Sequence, residues 1–161
     1  MPSKWTFQIK PIATLLDKYG VGEGWVDPFC GQCSMAEFRN DLDPLNTNAQ
    51  HHLEAEDYLN LVPKESVVGA IFDPPYSLTQ VSRSYNGMGL KFKGKENPTG
   101  GFPRVRAKLA QLLDPGQFCI SFGWNTCGLG KKNGVEIAEI LIVCHGGNRN
   151  DTLVTVEKKL A

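Results

Sequence analysis

The stretch Ile71-Phe72-Asp73-Pro74-Pro75-Tyr76-Ser77 sets an acid, two prolines and an aromatic ring directly behind an apolar run. Proline lacks the N–H that a sheet ladder needs, so a strand over 66–72 must stop at Asp73. Asp73 and Tyr76 are then left in a stiffened loop at the strand's carboxyl end. In an open α/β sheet, that edge is where ligands bind. A second short apolar run, 24–29, breaks in the same way at Asp27-Pro28-Phe29, with Gly31 two residues on. Gly31 lets the backbone pass close to a ligand as the chain turns out of the strand. Asp27 precedes Asp73 by 46 residues.

Around these two corners the apolar pattern alternates between helical and strand-like runs. Residues 11–20 carry apolar side chains at helical spacing and end in Gly20, and 104–113 form a second amphipathic helix with Leu109, Leu112 and Leu113 on its buried side. Residues 33–40 are predicted to form a helix as well. The run 66–72 is almost continuously apolar, as a strand covered on both faces would be. Residues 116–124 form another strand, and 51–59 alternate only weakly. Residues 135–145 and 151–159 flank Gly-Gly-Asn-Arg-Asn and predict an antiparallel hairpin. Residues 77–102 show little periodicity and read as a long mobile loop. The sum is an α/β three-layer sandwich with a mostly parallel sheet and one antiparallel strand in a C-terminal β-hairpin.

The chain has 161 residues, 41% hydrophobic and 21% charged, which suits one domain with a substantial core. Seventeen basic residues balance seventeen acidic ones, so any polyanionic partner must meet a local patch. Such a patch stands between 77 and 110, where Arg83, Lys91, Lys93, Lys95, Arg104, Arg106 and Lys108 face only Glu96, with Tyr85 and Phe92 interleaved. Cations with aromatic rings suit a nucleic-acid backbone and an unstacked base. The beginning of the chain lacks the apolar core of a signal peptide, and no run approaches membrane-spanning length; a cytoplasmic location is expected. Five scattered cysteines fit reduced thiols. Cys30 and Cys33 form a C-x-x-C with no second close pair, and His51, His52 and His145 lack ligand spacing, so no metal is expected.

The segment Val26-Asp27-Pro28-Phe29-Cys30-Gly31-Gln32-Cys33 resembles the cofactor motif Asp-Pro-Phe-x-Gly-x-Gly of the S-adenosylmethionine-dependent amino-methyltransferases of DNA. Asp73-Pro74-Pro75-Tyr76 matches the catalytic tetrapeptide of that family. The segment 7–16, with Lys10 and Pro11, resembles the one that precedes the cofactor motif there, and the chain closely resembles the small enzymes encoded by bacteriophages and prophages. Cys33 stands where the family has its second glycine.

The resemblance implies a Rossmann-like methyltransferase with a seven-stranded sheet, using S-adenosyl-L-methionine. Asp27, Pro28, Phe29 and Gly31 would line the methionine half, with helix-start amides at Gly31 holding its carboxylate. Asp41 or Asp43, the latter preferred, would hold the ribose, and Asp57 the adenine ring of the cofactor. Asp73 with the Pro74 carbonyl would grip an exocyclic amine, with Pro75 stiffening the corner and Tyr76 stacking on the base. Acid in the first position points to adenine N6 in DNA. RNA adenine, or a non-catalytic subunit that only binds nucleic acid, are the alternatives. Arg83, Lys91, Lys93, Lys95 and Arg104 would contact the polynucleotide. A single domain, 1–161, with no separate target-recognition region implies relaxed or very short sequence specificity, as a monomer or homodimer. The phage resemblance places it in a bacterial host's cytoplasm.

Overall fold

The computed structural model describes residues 5–87, 89, 102–147 and 150–161. One sheet of six strands runs through it, in the order β2-β1-β3-β4-β6-β5. The strands are β1 (Trp25–Asp27), β2 (Phe38–Arg39), β3 (Gly69–Phe72), β4 (Phe118–Gly123), β5 (Val135–Val143) and β6 (Thr152–Lys159). The first four are mutually parallel; β6 is antiparallel to both β4 and β5. The hairpin expected from the glycine-rich turn is therefore present, and it carries the one reversed strand.

Alternation along each strand splits the core into two faces. On β3, Ile71 packs with α1 (Lys10–Lys18), while Ala70 and Phe72 pack with α2 (Ala55–Leu59) and α4 (Pro103–Leu112). On β4, Ile120 and Phe122 take the α1 side and Cys119 the other. In α1, Pro11 occupies the first turn, where its missing N–H costs no intrahelical bond, and Ile12, Leu15 and Leu16 are buried along one stripe. Tyr19 and Lys18 then hold Glu139 of β5 at 2.7 and 2.6 Å, fixing the helix to the sheet's edge. The Tyr19 hydroxyl is pushed up to about 12 by burial first and by the Glu139 carboxylate second. Ile71 is fully buried, so Ile71→Val should lower unfolding stability by about 0.5–1.5 kcal/mol, read from the denaturant midpoint.

Three expectations require correction. The sheet has six strands among the described residues, not seven. Where a further strand would pair beside β2 there is only the bridge Asn40–His51. Asn40 holds that segment with its side chain instead, donating to the Leu53 carbonyl at 2.9 Å and accepting from the Leu53 N–H at 3.0 Å. The predicted helix over 33–40 is absent. Only ten residues separate β1 from β2, too short a connection to form a full helix and still bring β2 back alongside β1. The chain spends them on an irregular loop. Residues 77–102, read as a loop, begin instead with α3 (Leu78–Gly87).

The strand order places a topological switch point between β1 and β3. From β1 the chain moves outward to β2, then returns to β1's other side and continues away through β4. At such a point the loops following neighbouring strands diverge and leave a crevice at the carboxyl edge. Asp27 ends β1, and Asp73 follows β3 by one residue.

Candidate functional site

Two acids stand at the strand ends flanking that switch point. Asp27 is fully buried at the end of β1, and its carboxylate accepts from the Ser34 hydroxyl at 2.6 Å and the Phe29 N–H at 3.0 Å. Burial pushes its pKa up to about 7; these two hydrogen bonds oppose the shift, and the charges of Asp73 and Asp41 add to it. Through these two bonds Asp27 braces its own loop.

The helix start expected at Gly31 is also missing, and with it the row of free helical amides. Gly31 adopts a left-handed φ of +50°, and a side-chain carbon added there would meet nothing within 4 Å. Its backbone therefore borders open space and has a conformation that a non-glycine residue would adopt only with strain.

Asparagines on the far side of β2 brace this loop in place of helical hydrogen bonds. Asn46 Nδ2 donates to the Gly31 carbonyl at 2.6 Å and to Asp41 Oδ2 at 3.0 Å. Asn40 Nδ2 donates to the Pro28 carbonyl at 3.1 Å, and Asn48 Nδ2 to the Ser34 carbonyl at 3.3 Å. The density of asparagine in 40–48 was the signal in the sequence that could have exposed this support. Asp41 lies just past β2, and its Oδ2 accepts the Gly31 N–H at 3.1 Å. Asp43 points elsewhere, closing its own turn by accepting the Leu45 N–H at 2.9 Å. Of the two acids left open, Asp41 is the one set against Gly31.

Lys10 and Pro11 are exposed at the start of α1. They line a groove with Thr14, Lys18, Glu139 and Leu141, against the β5 edge of the sheet. The preceding turn, Thr6–Gln8, does reach inward: Phe7 is buried on Phe122 at 5.0 Å between ring centroids, and Cys33 lies close to the Phe7 backbone. Cys33 is half-buried, and the charges of both Asp73 and Asp27 act on its thiol, which burial pushes up. Asp57 is exposed on α2. The acid beginning that helix is Glu54, a residue the sequence reading passed over, whose carboxylate accepts from the Tyr85 hydroxyl of α3 at 3.0 Å.

At the other corner, Asp73 keeps partial access to solvent and Pro74 is buried. The Tyr76 hydroxyl donates to Asp73 Oδ1 at 2.6 Å. Burial pushes Asp73 up to about 7, with the Tyr76 bond opposing; burial and the Asp73 carboxylate together raise the Tyr76 phenol far above its usual value. The tetrapeptide therefore forms a closed unit, in which Pro74 and Pro75 fix the turn that lets residue 76 reach back to residue 73. Trp124, the first residue past β4, stands edge-to-face to Tyr76 at 5.6 Å and 70°.

The basic patch is placed only in part. Lys91, Lys93, Lys95 and Phe92 lie outside the described residues, and Arg83 is at a position on α3. Arg104 is exposed, with its guanidinium 3.7 Å from Glu56. Arg106 turns inward, half-buried with its guanidinium 5.4 Å from the centre of the Phe72 ring, where burial lowers its pKa. It belongs to the patch in sequence, but the helical stripe Val105–Leu109–Leu112 carries it toward the core. Lys108 reaches Asn60.

No family model matches the sequence, and no curated protein matches it. Solved structures do. TrmN from Thermus thermophilus aligns over 92% of this chain and 48% of its own, at 17% identity and a TM-score of 0.58. SMU.776, assigned as a methyltransferase and complexed with SAH, aligns over 94% of this chain and 49% of its own, at 13% identity and a TM-score of 0.58. An rRNA methylase from Streptococcus thermophilus aligns over 92% of this chain and 94% of its own, at 15% identity and a TM-score of 0.52. The chain spans about half the length of the first two. It has the Rossmann-like α/β fold of these methyltransferase structures.

Proposed function

We propose that this chain transfers a methyl group from S-adenosyl-L-methionine to the N6 amine of adenine in DNA, within one domain and with relaxed or short sequence specificity. The observation that carries the reading is the pairing of corners at one switch point, Asp27–Gly31 after β1 and the Tyr76-bonded Asp73 after the neighbouring β3. The fold shared with SMU.776, which holds SAH, supports the cofactor.

The residues at the first corner fit that group. Open space borders Gly31, an acid at the end of β2 stands beside it, and Asp27 with Ser34 fixes the loop between them. Asp41 would meet the ribose hydroxyls, and Phe29 and Pro28 belong to the loop that carries Gly31. Lys10 and Pro11, by contrast, line the groove beside β5, Asp43 closes its own turn, and Asp57 is exposed on α2. Bound here, the cofactor supplies an electrophilic methyl on sulfur.

The chain's own residues make the amine ready to accept it. The lone pair of an adenine amine is delocalised into its ring. Asp73 would accept from one N–H and the Pro74 carbonyl from the other, drawing the hydrogens out of plane and returning density to nitrogen. The two prolines set those acceptors in advance, and holding amine and methyl in contact supplies much of the acceleration. Tyr76 would stack on the base, which in a duplex must first be flipped out. Arg104 and position 83 would meet the backbone, with Lys91, Lys93 and Lys95 between them in sequence.

Asp73 accepts from an amine best when ionised, so kcat/KM should rise with pH through a midpoint near 7, the value burial gives the carboxyl. Tyr76→Phe removes a hydrogen bond that favours the ionised form and should move the midpoint upward; a pH–rate profile of both proteins checks this. The same shifts act on stability. Native Asp27 and Asp73 hold protons to about pH 7, whereas the ordinary carboxyl value is 3.8. The native state binds more protons across that window, so this contribution is complete below about pH 4 and is lost as pH rises through about 7.

RNA is the second substrate to weigh, since one structural neighbour is an rRNA methylase. Parallel transfer assays on duplex DNA and on RNA, with the same labelled cofactor, test the reading. Preference for DNA is expected; transfer confined to RNA would replace the substrate, and binding of the cofactor without transfer to either would leave a non-catalytic subunit.

A further inference from the structure

The carboxyl edge of the sheet carries a second aromatic side chain directly beside the Tyr76 ring. Trp124 is 43% exposed, just past the end of β4 and two residues beyond the buried Phe122. Its position is set from both sides. Strand β4 is held in register against β3, with Ser121 opposite Phe72, so Trp124 and Tyr76 leave the sheet at adjacent places. Beyond it, Asn125 Oδ1 accepts the Cys127 N–H at 3.0 Å and closes the following turn.

The Tyr76 ring is oriented by its hydroxyl, bound to Asp73 at 2.6 Å, and the indole meets that ring at 70°. Two aromatic planes near a right angle form a corner. A flat heterocycle stacked on one plane presents its rim to the other, so the pair fixes both the plane of the guest and its rotation within that plane.

We propose that Trp124 is the second aromatic wall of the target-base site, binding the base whose amine Asp73 holds and setting its rotation. This rests on the methyltransferase reading above. It explains how a corner of few residues could orient an unpaired base. Stacking selects a π-face without regard to identity, whereas an edge wall rejects a base turned away from Asp73.

The test compares wild type, Trp124→Ala and Trp124→Phe in methyl transfer to an adenine-containing oligonucleotide. The alanine variant should lose about 2- to 10-fold in kcat/KM, the equivalent of one edge-to-face aromatic contact. The phenylalanine variant should recover most of that. Affinity for S-adenosylhomocysteine should be unchanged in both, which a general loss of folding would not allow. Adding the oligonucleotide should also quench indole emission in wild type more than in Trp124→Phe, which retains Trp5 and Trp25. An active wild type with an equally active alanine variant overturns the role of Trp124 alone. A wild type that methylates no polynucleotide overturns this role and the function together.

Discussion

Asp73→Ala is expected to lower the rate of methyl transfer by at least about 100-fold while leaving affinity for S-adenosylhomocysteine unchanged. On the proposed function the acid would contribute a preorganised acceptor to the amine, and the cofactor would sit across from it, on the Gly31 side. Single-turnover transfer and calorimetric binding separate the two effects. The variant should not be unstable at neutral pH, because it removes a carboxyl whose ionised form burial disfavours. Asp73→Asn sharpens the comparison. It keeps one acceptor oxygen and should retain more activity than alanine, with the rise near pH 7 abolished. A variant as fast as wild type would remove Asp73 from the chemistry.

The largest loss of stability should come from a position with no part in that chemistry. Glu157 on β6 is buried, and its carboxylate accepts the backbone N–H groups of Leu129 and Gly130. Burial raises its pKa and these two bonds oppose the shift. They anchor the connection between β4 and β5. Gly128 lies directly over the carboxylate, with a φ of +44°; a side-chain carbon there would stand 2.1 Å from Glu157 Oε2. Gly128→Ala must therefore push the carboxylate out of its cradle, leaving two N–H groups and a buried acid unpaired, in a backbone region alanine resists. The expected cost is about 3 kcal/mol or more, read from equilibrium unfolding. A loss below about 1 kcal/mol would show that the cradle yields freely.

Much of the architecture is legible in the sequence because it follows from local chemistry. Prolines had to stop β3 at Asp73; Ile12, Leu15 and Leu16 recur at helical spacing; two apolar runs close across a glycine-rich turn. The misreadings share one cause. Residues 33–40 have acceptable helix formers, yet the short span between β1 and β2 and the asparagine contacts from 40–48 determine their path. The asparagine bonds to the loop 28–34 join residues twelve to seventeen positions apart, beyond the reach of any periodicity. The same holds for Asp41 over Asp43: spacing leaves both open, and only the return of β2 beside β1 sets one of them against Gly31. Trp124 closes the run 116–124 and carries no role on sequence grounds, because its meeting with Tyr76 depends on β3–β4 register. Arg106 was counted with the cations around it, whereas its helical phase turns it toward Phe72.

The central claim is that neighbouring strand ends bring a methyl donor and an adenine amine together. Its most direct measurement is to incubate the protein with methyl-labelled S-adenosylmethionine and unmethylated duplex DNA, digest to nucleosides and identify the labelled one. Label in N6-methyldeoxyadenosine, lost with Asp73→Ala, is the predicted result. Label in a cytosine product, or undiminished adenine labelling by the Asp73→Ala protein, would contradict it.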